Sequence, residues 1–330
     1  MIEVQLPDSA QHRLPYYLAL EEWVADNLPD DDYIFSWRVA PTVICGRNQD
    51  MPLEVNLAYC RDNGIDVVRR RSGGGCVYAD MNNFMFSYIA PGTDVDRNFA
   101  RYADTTAAML RSLGFDACVS GRNDILIGGS KIAGNAFYLH NGHSIAHGTM
   151  LFDVDTERMA NAITPSRAKL QSKAVQSAPR RVTCLHSLGI DMSVEEFDRY
   201  AIEFFSGGHA VRLTPAQAKE IDAIEKRYYE PFFLYGRMRG KDSENLIRRF
   251  RRIEGIGEFY AEIELTPEGT IGNLLLGGDF FFRGNVAERI EAPLRGIPYT
   301  PAALAEALKK IDTEALIRGL KPEAMLEILI

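Results

Sequence analysis

Two groups of residues in this chain have side chains and spacings suited to chemistry on an anion. The first is Arg69-Arg70-Arg71-Ser72-Gly73-Gly74-Gly75, which runs directly into Cys76-Val77-Tyr78. Glycine reaches positive φ at little cost and carries no Cβ, so such a loop can turn several backbone N–H groups onto one anion. Neighbouring arginines add charge-assisted hydrogen bonds to carboxylate or phosphate oxygens. The pattern reads as an anion-binding loop for a nucleotide or an activated carboxylate. A glycine-rich turn beside a solvated basic run has the same composition, so the loop needs support from elsewhere. The second group is Lys131 with Asp124. A fixed ammonium can hold a phosphate and a reacting carboxylate together, although a lysine in a strand is more often an edge or surface residue. Asp124 suits either a partner for that ammonium or a ligand for Mg²⁺.

Other candidates are weaker. His140, His143 and His147 invite a metal reading, but Asn141-Gly142 breaks any helix that would align them, and no cysteine or carboxylate cluster accompanies them. His147-Gly148-Thr149 differs, since a strand histidine beside glycine lets a ligand approach the backbone. Cys76 and Cys118 are possible nucleophiles without a histidine in a local motif; a small buried hydrophobe is the default for both. Arg248, Arg249, Arg251 and Arg252 read as a solvated face that can also help dock an acidic protein.

These residues need a scaffold, and the composition supplies one. The chain has 330 residues, 46% of them hydrophobic, enough for a large domain and a smaller one. A formal charge of -8 argues against general nucleic-acid binding. Five scattered cysteines, none in a CxxC pair, fit a reducing compartment. The first residues lack the pattern of a signal peptide, and no apolar run reaches the length of a membrane helix. The expectation is a soluble, cytoplasmic protein with no nucleic-acid or membrane partner.

Hydrophobic periodicity places a helix over 14–28, with Leu18, Trp23 and Val24 among its apolar positions, and strands over 33–38 and 42–45. A short helix over 56–63 ends at Gly64, and strands over 65–70 and 84–89 flank the glycine loop. A helix over 98–113 stops at Gly114. Ile125-Leu126-Ile127, Gly128-Gly129, the run from Lys131 to Leu139, Asn141-Gly142, and the run from Ile145 to Phe152 spell a three-stranded antiparallel meander with two-residue turns. Tight turns set Leu126 opposite Lys131 and Asp124 opposite Ala133, so Asp124 and Lys131 share one face; a bulge near Ala133-Gly134 would change the register downstream. Residues 155–206 read as mainly helical with a basic connection (Arg167, Lys169, Lys173, Arg180, Arg181). Charge density rises and the apolar pattern breaks over 243–252, which puts a domain boundary near residue 248. Strands over 259–265 and 271–276, a Gly277-Gly278 turn and two helices follow.

Taken in order, these residues resemble the lipoate-protein ligase A family, within the biotin/lipoate A/B protein ligase superfamily. The resemblance rests on Leu18-Ala19-Leu20-Glu21-Glu22, Trp37, Pro41, Val43-Ile44-Cys45-Gly46-Arg47-Asn48-Gln49 and Glu54-Val55-Asn56. It continues through Arg70-Arg71-Ser72-Gly73-Gly74-Gly75, Gly121-Arg122-Asn123-Asp124, Lys131-Ile132-Ala133-Gly134 and His147-Gly148-Thr149, with Gly278-Asp279-Phe280-Phe281 as its clearest piece in the tail. Two places depart from the family pattern. Phe233-Leu234-Tyr235-Gly236-Arg237 stands for a Trp-x-Tyr-Gly-like run, and Ala79-Asp80-Met81-Asn82-Asn83 lacks the His and Gly of a His-Asp-x-Gly-Asn segment, so no histidine role carries over there.

The resemblance implies an α+β protein. Its catalytic domain, residues 1–247, would have a mixed, largely antiparallel sheet of the biotin/lipoate ligase type, akin to class II aminoacyl-tRNA synthetases. A small α/β accessory domain would span 248–330 and swing between the two half-reactions. ATP would activate lipoic acid to lipoyl-AMP, and a lysine of an acceptor would then take the lipoyl group. The acceptors would be lipoyl domains of 2-oxoacid dehydrogenase complexes or the H protein of glycine cleavage. Lys131 would bridge carboxylate and α-phosphate, with Mg²⁺ on the pyrophosphate side and Asp124 as its candidate ligand. Arg71, Ser72, Gly73, Gly74 and Gly75 would cradle the anion. Val77, Tyr78, Asn83, Asn123, Asp124, His147, Gly148 and Thr149 would complete the nucleotide and acyl contacts, with Phe35 and Phe86 as candidates for an apolar slot. The rivals are an octanoyl transferase using Cys118, a transferase that accepts pre-formed lipoyl-AMP, and a non-catalytic binder of lipoylated proteins.

Overall fold

A computed structural model describes residues 1–121, 123–164, 182–236 and 245–330. Arg122 and the basic connection containing Arg167, Lys169, Lys173, Arg180 and Arg181 lie outside the described residues. The chain divides into two compact units: Met1–Cys45, Pro52–Arg69 and Val77–Leu234 form one, and Gly46–Met51, Arg70–Cys76 and Tyr235–Ile330 the other.

Among the described residues the first unit has eleven strands: β1 (Ile2–Gln5), β2 (Tyr33–Trp37), β3 (Thr42–Cys45), β4 (Asp66–Arg69), β5 (Val77–Ala79), β6 (Phe84–Pro91), β7 (Ala117–Ser120), β8 (Asp124–Ile127), β9 (Ser130–His140), β10 (His143–Met150) and β11 (Ala210–Arg212). Eight form one mixed sheet in the order β11-β1-β2-β6-β10-β9-β8-β7, and β4-β3-β5 form a small second sheet. Among the described residues of the large sheet, β1 pairs in parallel with β2 and β11 and the other strand pairings are antiparallel. Mixed pairing and helices on both faces give the expected α+β class. The β1, β5, β7 and β11 strands have no counterpart among the sequence expectations, being three or four residues long and too short to show a period.

Register decides which side chains meet. Opposed residues run Trp37–Met85–Thr149–Gly134 and Phe35–Ser87–His147–Ala136 across β2, β6, β10 and β9, so all of these lie on one face. Helix α1 (Leu14–Asn27) covers that face, packing Leu18, Trp23 and Val24 against Phe35, Trp37, Met85, Ile89, Tyr138 and Ile145. The other face carries Phe84, Phe86, Tyr88 and Phe137. It packs against Phe99 and Tyr102 of α2 (Val95–Ser112) and Phe197 and Phe205 of α3 (Val194–Ser206). Phe35 and Phe86 thus sit on opposite faces and cannot line one slot, which corrects that expectation; adjacent register positions on neighbouring strands alternate.

Both two-residue turns form as the sequence requires. Gly128 and Gly129 have φ of 57° and 79°, and Asn141 and Gly142 of 43° and 85°, the positive pair that a type I′ hairpin needs. The β9–β10 turn is also tied to the end of α1. His140 Nε2 lies 3.0 Å from both Asp26 carboxylate oxygens, and Asn141 Nδ2 donates to Asp26 Oδ1 at 2.8 Å.

The second unit holds β12 (Leu246–Ile253), β13 (Gly257–Leu265) and β14 (Ile271–Gly278), an antiparallel meander with α4 (Pro301–Leu308) and α5 (Pro322–Leu329) contributing to its core. Two corrections apply here. Arg248, Arg249, Arg251 and Arg252 lie on β12, where the sequence shows only a break in pattern; Arg248 Nε meets Glu262 at 2.9 Å and Arg252 meets Glu258 at 3.2 Å across to β13. Gly277 and Gly278 end β14 in extended pairing with Tyr260 and Phe259 and do not form a turn. A Cβ on Gly277 would fall 2.0 Å from the Tyr260 ring, so this glycine answers to packing.

The Asp26 tie has a pH signature. Burial pushes its carboxyl up, but hydrogen bonds from His140 and Asn141, with the charges of His140 and His143, outweigh burial and hold it below its ordinary value. An unfolded aspartate titrates near about 3.9. The tie therefore contributes stability that is complete above that value and lost as pH falls through the lower, folded value. His140→Ala is expected to cost under about 1 kcal/mol at pH 7, because the pair is partly exposed, with a smaller deficit at pH 2.5. Urea unfolding at both pH values measures it, and an equal deficit at each would exclude the carboxylate as the cause.

Candidate functional site

In the first unit the site is built on the α1 face of the large sheet, where β8 meets β9. The register runs as expected from the turn, with Leu126 opposite Lys131, and then slips. Ile125 pairs with Ala133, leaving Ile132 as an extra residue, so Asp124 stands opposite Gly134 and not Ala133. Asp124 and Lys131 share a face in either register. Lys131 Nζ lies 2.7 Å from Asp124 Oδ1, each side chain about a third exposed. The bulge is held on both sides: Thr183 N–H donates to Lys131 O and Leu151 N–H to Ile132 O, each at 2.9 Å.

Thr149, opposite Gly134, is buried on the same face, and His147 lies two residues further along β10. His147 belongs to a network that the sequence did not reveal. Glu21 of α1 is fully buried, and its carboxylate faces His147 Nδ1 at 2.9 and 3.1 Å. It also accepts from Ser87 Oγ at 2.5 Å and from the Tyr138 hydroxyl at 3.1 Å, while Trp37 Nε1 donates to Ser87 Oγ at 2.8 Å. A carboxylate only accepts, so the bond to His147 places a proton on Nδ1. Glu21 counted only as part of a resemblance; an acidic residue inside an apolar helix pattern gives no signal that it is buried.

Other candidates take structural positions. Asn123 Nδ2 donates to Asn135 O at 2.8 Å, and Asn135 Nδ2 returns a bond to Asn123 O at 3.0 Å, clamping the strand ends beside Asp124. Gly148 lies on the opposite face, and a Cβ there would fall 1.8 Å from Asn135 Oδ1. Asn83, fully buried, donates to Asp80 Oδ1 at 3.0 Å and leaves its own Oδ1 without a partner. Burial pushes the Asp80 carboxyl above its ordinary value. Val77 and Tyr78 are on β5, and the Tyr78 hydroxyl is buried without a partner. Burial, and then the Asp80 charge, push its pKa up to about 12. Cys118 is exposed on β7 opposite Leu126, in line with Lys131 one strand beyond.

No group of three or more His, Cys, Asp or Glu side chains among the described residues is arranged to hold a metal ion. Asp124 Oδ1 is engaged by the Lys131 ammonium, and a single carboxylate of this kind suits a Mg²⁺ ion that is otherwise held by phosphate and water.

The glycine loop, Arg70–Cys76, belongs to the second unit. Arg70, 5% exposed, organises it: Nε donates to Ser72 Oγ at 2.9 Å, and Nη2 donates to Gly73 O at 2.6 Å and Gly75 O at 2.9 Å. With those carbonyls gathered on the guanidinium, the amides are directed elsewhere, and that of Gly74 donates to Phe280 O at 3.1 Å. Gly74 has φ of 85°. A Cβ on Gly73 would fall 2.2 Å from Phe280 O, and one on Gly46 would fall 2.0 Å from Gly74 O. Ser72 is buried and Arg71 half-buried. Arg70 is the residue whose role the sequence understates: in an Arg-Arg-Arg run nothing marks which guanidinium turns inward.

Comparison with known proteins bears on both units. Residues 14–206 match the family model "Lipoyl protein ligase A/B catalytic domain", and residues 246–329 match "Bacterial lipoate protein ligase C-terminus". The chain is 32% identical over 322 residues to lipoate-protein ligase LplJ of Bacillus subtilis, covering 94% of this chain and 95% of that one. Its fold resembles P. falciparum LipL1, solved in complex with lipoate, with a TM-score of 0.77 at 18% identity over 99% and 97% of the two chains. It also resembles a lipoate-protein ligase A solved with bound ATP, with a TM-score of 0.60 at 24% identity over 71% and 98%.

Replacing Glu21 tests the buried network. Glu21→Gln presents an amide nitrogen where three donors converge. It is expected to lower stability by about 2–3 kcal/mol, the range for losing bonds to a charged acceptor. Urea unfolding reads the difference, and a loss under about 0.5 kcal/mol would mean the carboxylate is not the acceptor that holds His147.

Proposed function

This chain belongs to the lipoate-protein ligase family and is an enzyme of that kind; from that premise we propose that it activates lipoic acid with ATP and passes the lipoyl group to a lysine of an acceptor lipoyl domain. In the first half-reaction a lipoate carboxylate oxygen attacks the α-phosphorus of ATP. The bond from that phosphorus to the bridging oxygen breaks, and pyrophosphate leaves. Two anions must approach, and a fixed cation offsets their repulsion. The observation that carries the reading is the Lys131 ammonium, oriented by Asp124 at 2.7 Å on the covered face of the sheet. An ammonium held between carboxylate and α-phosphate attracts both and gains as the new bond shares charge between them.

In the second half-reaction the acceptor amine attacks the acyl carbon, AMP departs with the bonding pair, and the amine loses its proton. Holding the anhydride against the amine supplies much of that step. In this reading Arg71, Ser72 and the loop of Gly73, Gly74 and Gly75 take anionic oxygens of the nucleotide through groups other than the Gly74 amide, which is engaged by Phe280 O. Val77 and Tyr78 offer backbone, Asn83 and Asn123 offer polar contacts, and His147 and Thr149 border the acyl chain, while Gly148 between them leaves room for Asn135 on the opposite face. Bound lipoate and bound ATP in two proteins of similar fold support both substrates. No step is assigned to a metal held by the protein. The catalytic work belongs to residues 1–247, with 248–330 as the accessory domain.

One observation favours a second reading. Cys118 shares a row with Lys131, one strand intervening, so its thiol is placed about 10 Å away by the strand spacing. An acyl transferase using a pre-activated donor needs such a nucleophile.

The two readings separate in a pyrophosphate-release assay with ATP, Mg²⁺ and free lipoate and no acceptor. Wild type is expected to release pyrophosphate only with lipoate present, and Lys131→Ala to lose at least about 100-fold in rate while staying folded. Folded wild-type protein without release, combined with acyl transfer abolished by Cys118→Ser, would replace the ligase reading with the transferase.

A further inference from the structure

We propose that Gly134 is a positioning residue for the reaction: the place its missing side chain leaves open is the seat of the Lys131 ammonium. The proposal rests on the reading of Lys131 as the activating cation. Its basis is spatial. A Cβ built on Gly134 would lie 2.6 Å from Lys131 Nζ and 2.7 Å from Cε, with Asp124 Oδ1 at 4.0 Å. The lysine side chain therefore lies across its own strand, over residue 134, with its charged end above the α-carbon.

Two facts make this more than a loose contact. Gly134 is not among the residues with positive φ, so the backbone would accept any side chain. Glycine inside a strand forfeits packing and costs entropy, and it commonly marks a place where something approaches closely. Here what approaches is the ammonium. Residues three apart on a strand also normally point to opposite faces. Lys131 and Gly134 share a face only because Ile132 is an extra residue, and that bulge is pinned by Leu151 N–H on Ile132 O and Thr183 N–H on Lys131 O. The bulge turns residue 134 under the lysine, and glycine at 134 leaves the room. Asp124, opposite Gly134, then closes on the ammonium from the neighbouring strand.

Gly148 shows the contrasting case. Its virtual Cβ meets the amide of Asn135 at 1.8 Å, and Asn135 is clamped by Asn123 and cannot yield. At Gly134 the obstructed atoms are the free end of a flexible chain. An added methyl displaces the lysine and leaves the sheet intact.

The experiment is Gly134→Ala in the full-length enzyme, with three readouts. Melting temperature is expected to stay within about 3 °C of wild type, since the backbone is permissive. The kcat for acceptor-independent pyrophosphate release is expected to fall about 10- to 100-fold with a smaller change in the KM for ATP, as for a reacting group misplaced by an ångström. In a Lys131→Ala background the same substitution is expected to cost nothing more, because no ammonium remains to displace. A loss of equal factor in both backgrounds overturns the proposal.

The third readout does not depend on the reaction. Labelling of Lys131 by a small amine-reactive reagent, followed by mass spectrometry across pH, is expected to rise in Gly134→Ala as the ammonium leaves Asp124. Unchanged labelling overturns the seat. Full activity in Lys131→Ala would remove the catalytic reading of that lysine, and the labelling result would still decide whether Gly134 seats it.

Discussion

Side chains on a strand alternate, and β9 breaks that rule once, at Ile132. Before the break the strand follows the Gly128-Gly129 turn, which fixes Leu126 against Lys131; after it the strand follows β10, whose pairs run unbroken from His143 to Met150. The two registers are incompatible by one residue, and the bulge absorbs the difference. Everything chemical on the α1 face depends on this. Without the bulge the turn register would continue, Ala133 would stand opposite Asp124, and Gly134 would turn to the α2 and α3 side. The ammonium would then lie over a side chain. Ile132, itself fully buried, anchors the irregularity in the core.

The same face carries a second constraint, the fully buried acids of α1. Glu21 and Glu22 are both at 0% exposure. Taking a carboxylate out of water is costly unless donors replace the solvent. Glu21 has His147, Ser87 and Tyr138; Glu22 has the Tyr228 hydroxyl at 2.5 Å and Arg227 at 3.2 Å. These bonds span the helix, three strands and the segment after residue 225, so α1 is fixed in rotation as well as in depth. A purely apolar helix could roll on the sheet. One pinned by two acids with directional partners holds His147 in a defined tautomer and keeps Trp37 and Ser87 in line behind it.

Much of this is legible in the sequence. Turn chemistry made both hairpins readable, because Gly-Gly and Asn-Gly tolerate the positive φ pair that other residues resist. From those turns alone, Asp124 and Lys131 could be placed on one face, and the 2.7 Å ion pair is the result. Asp124 opposite Ala133 failed for a reason no local pattern contains: a bulge is set by the mismatch between two neighbours. The β12 strand was hidden by composition, since Arg248, Phe250 and Arg252 alternate with Arg249 and Arg251 and no polar–apolar period emerges, although Glu262 and Glu258 across the ladder make the arrangement reasonable. Glu21 and Arg70 were hidden by type. Charged residues read as surface unless their partners are known, and those partners lie at positions 87, 138 and 147 for one, and in loop carbonyls for the other.

The two kinds of pairing in the large sheet also imply an order of assembly. From β7 to β10 every pairing is between chain neighbours joined by short turns, and such hairpins close in microseconds. The β1 strand, by contrast, waits for β11, with Val4 against Val211. Closing a loop of that length is entropically slow, and the contact returns its energy only after the rest has formed. The strands of the seat thus come from the most local part of the molecule, whereas the Thr183 pin and the β1–β11 edge are contacts of long sequence separation. The chain emerges in the order that lets the hairpins bearing Lys131 pair with their neighbours at once, while β1 has no β11 partner until residues 210–212 are made.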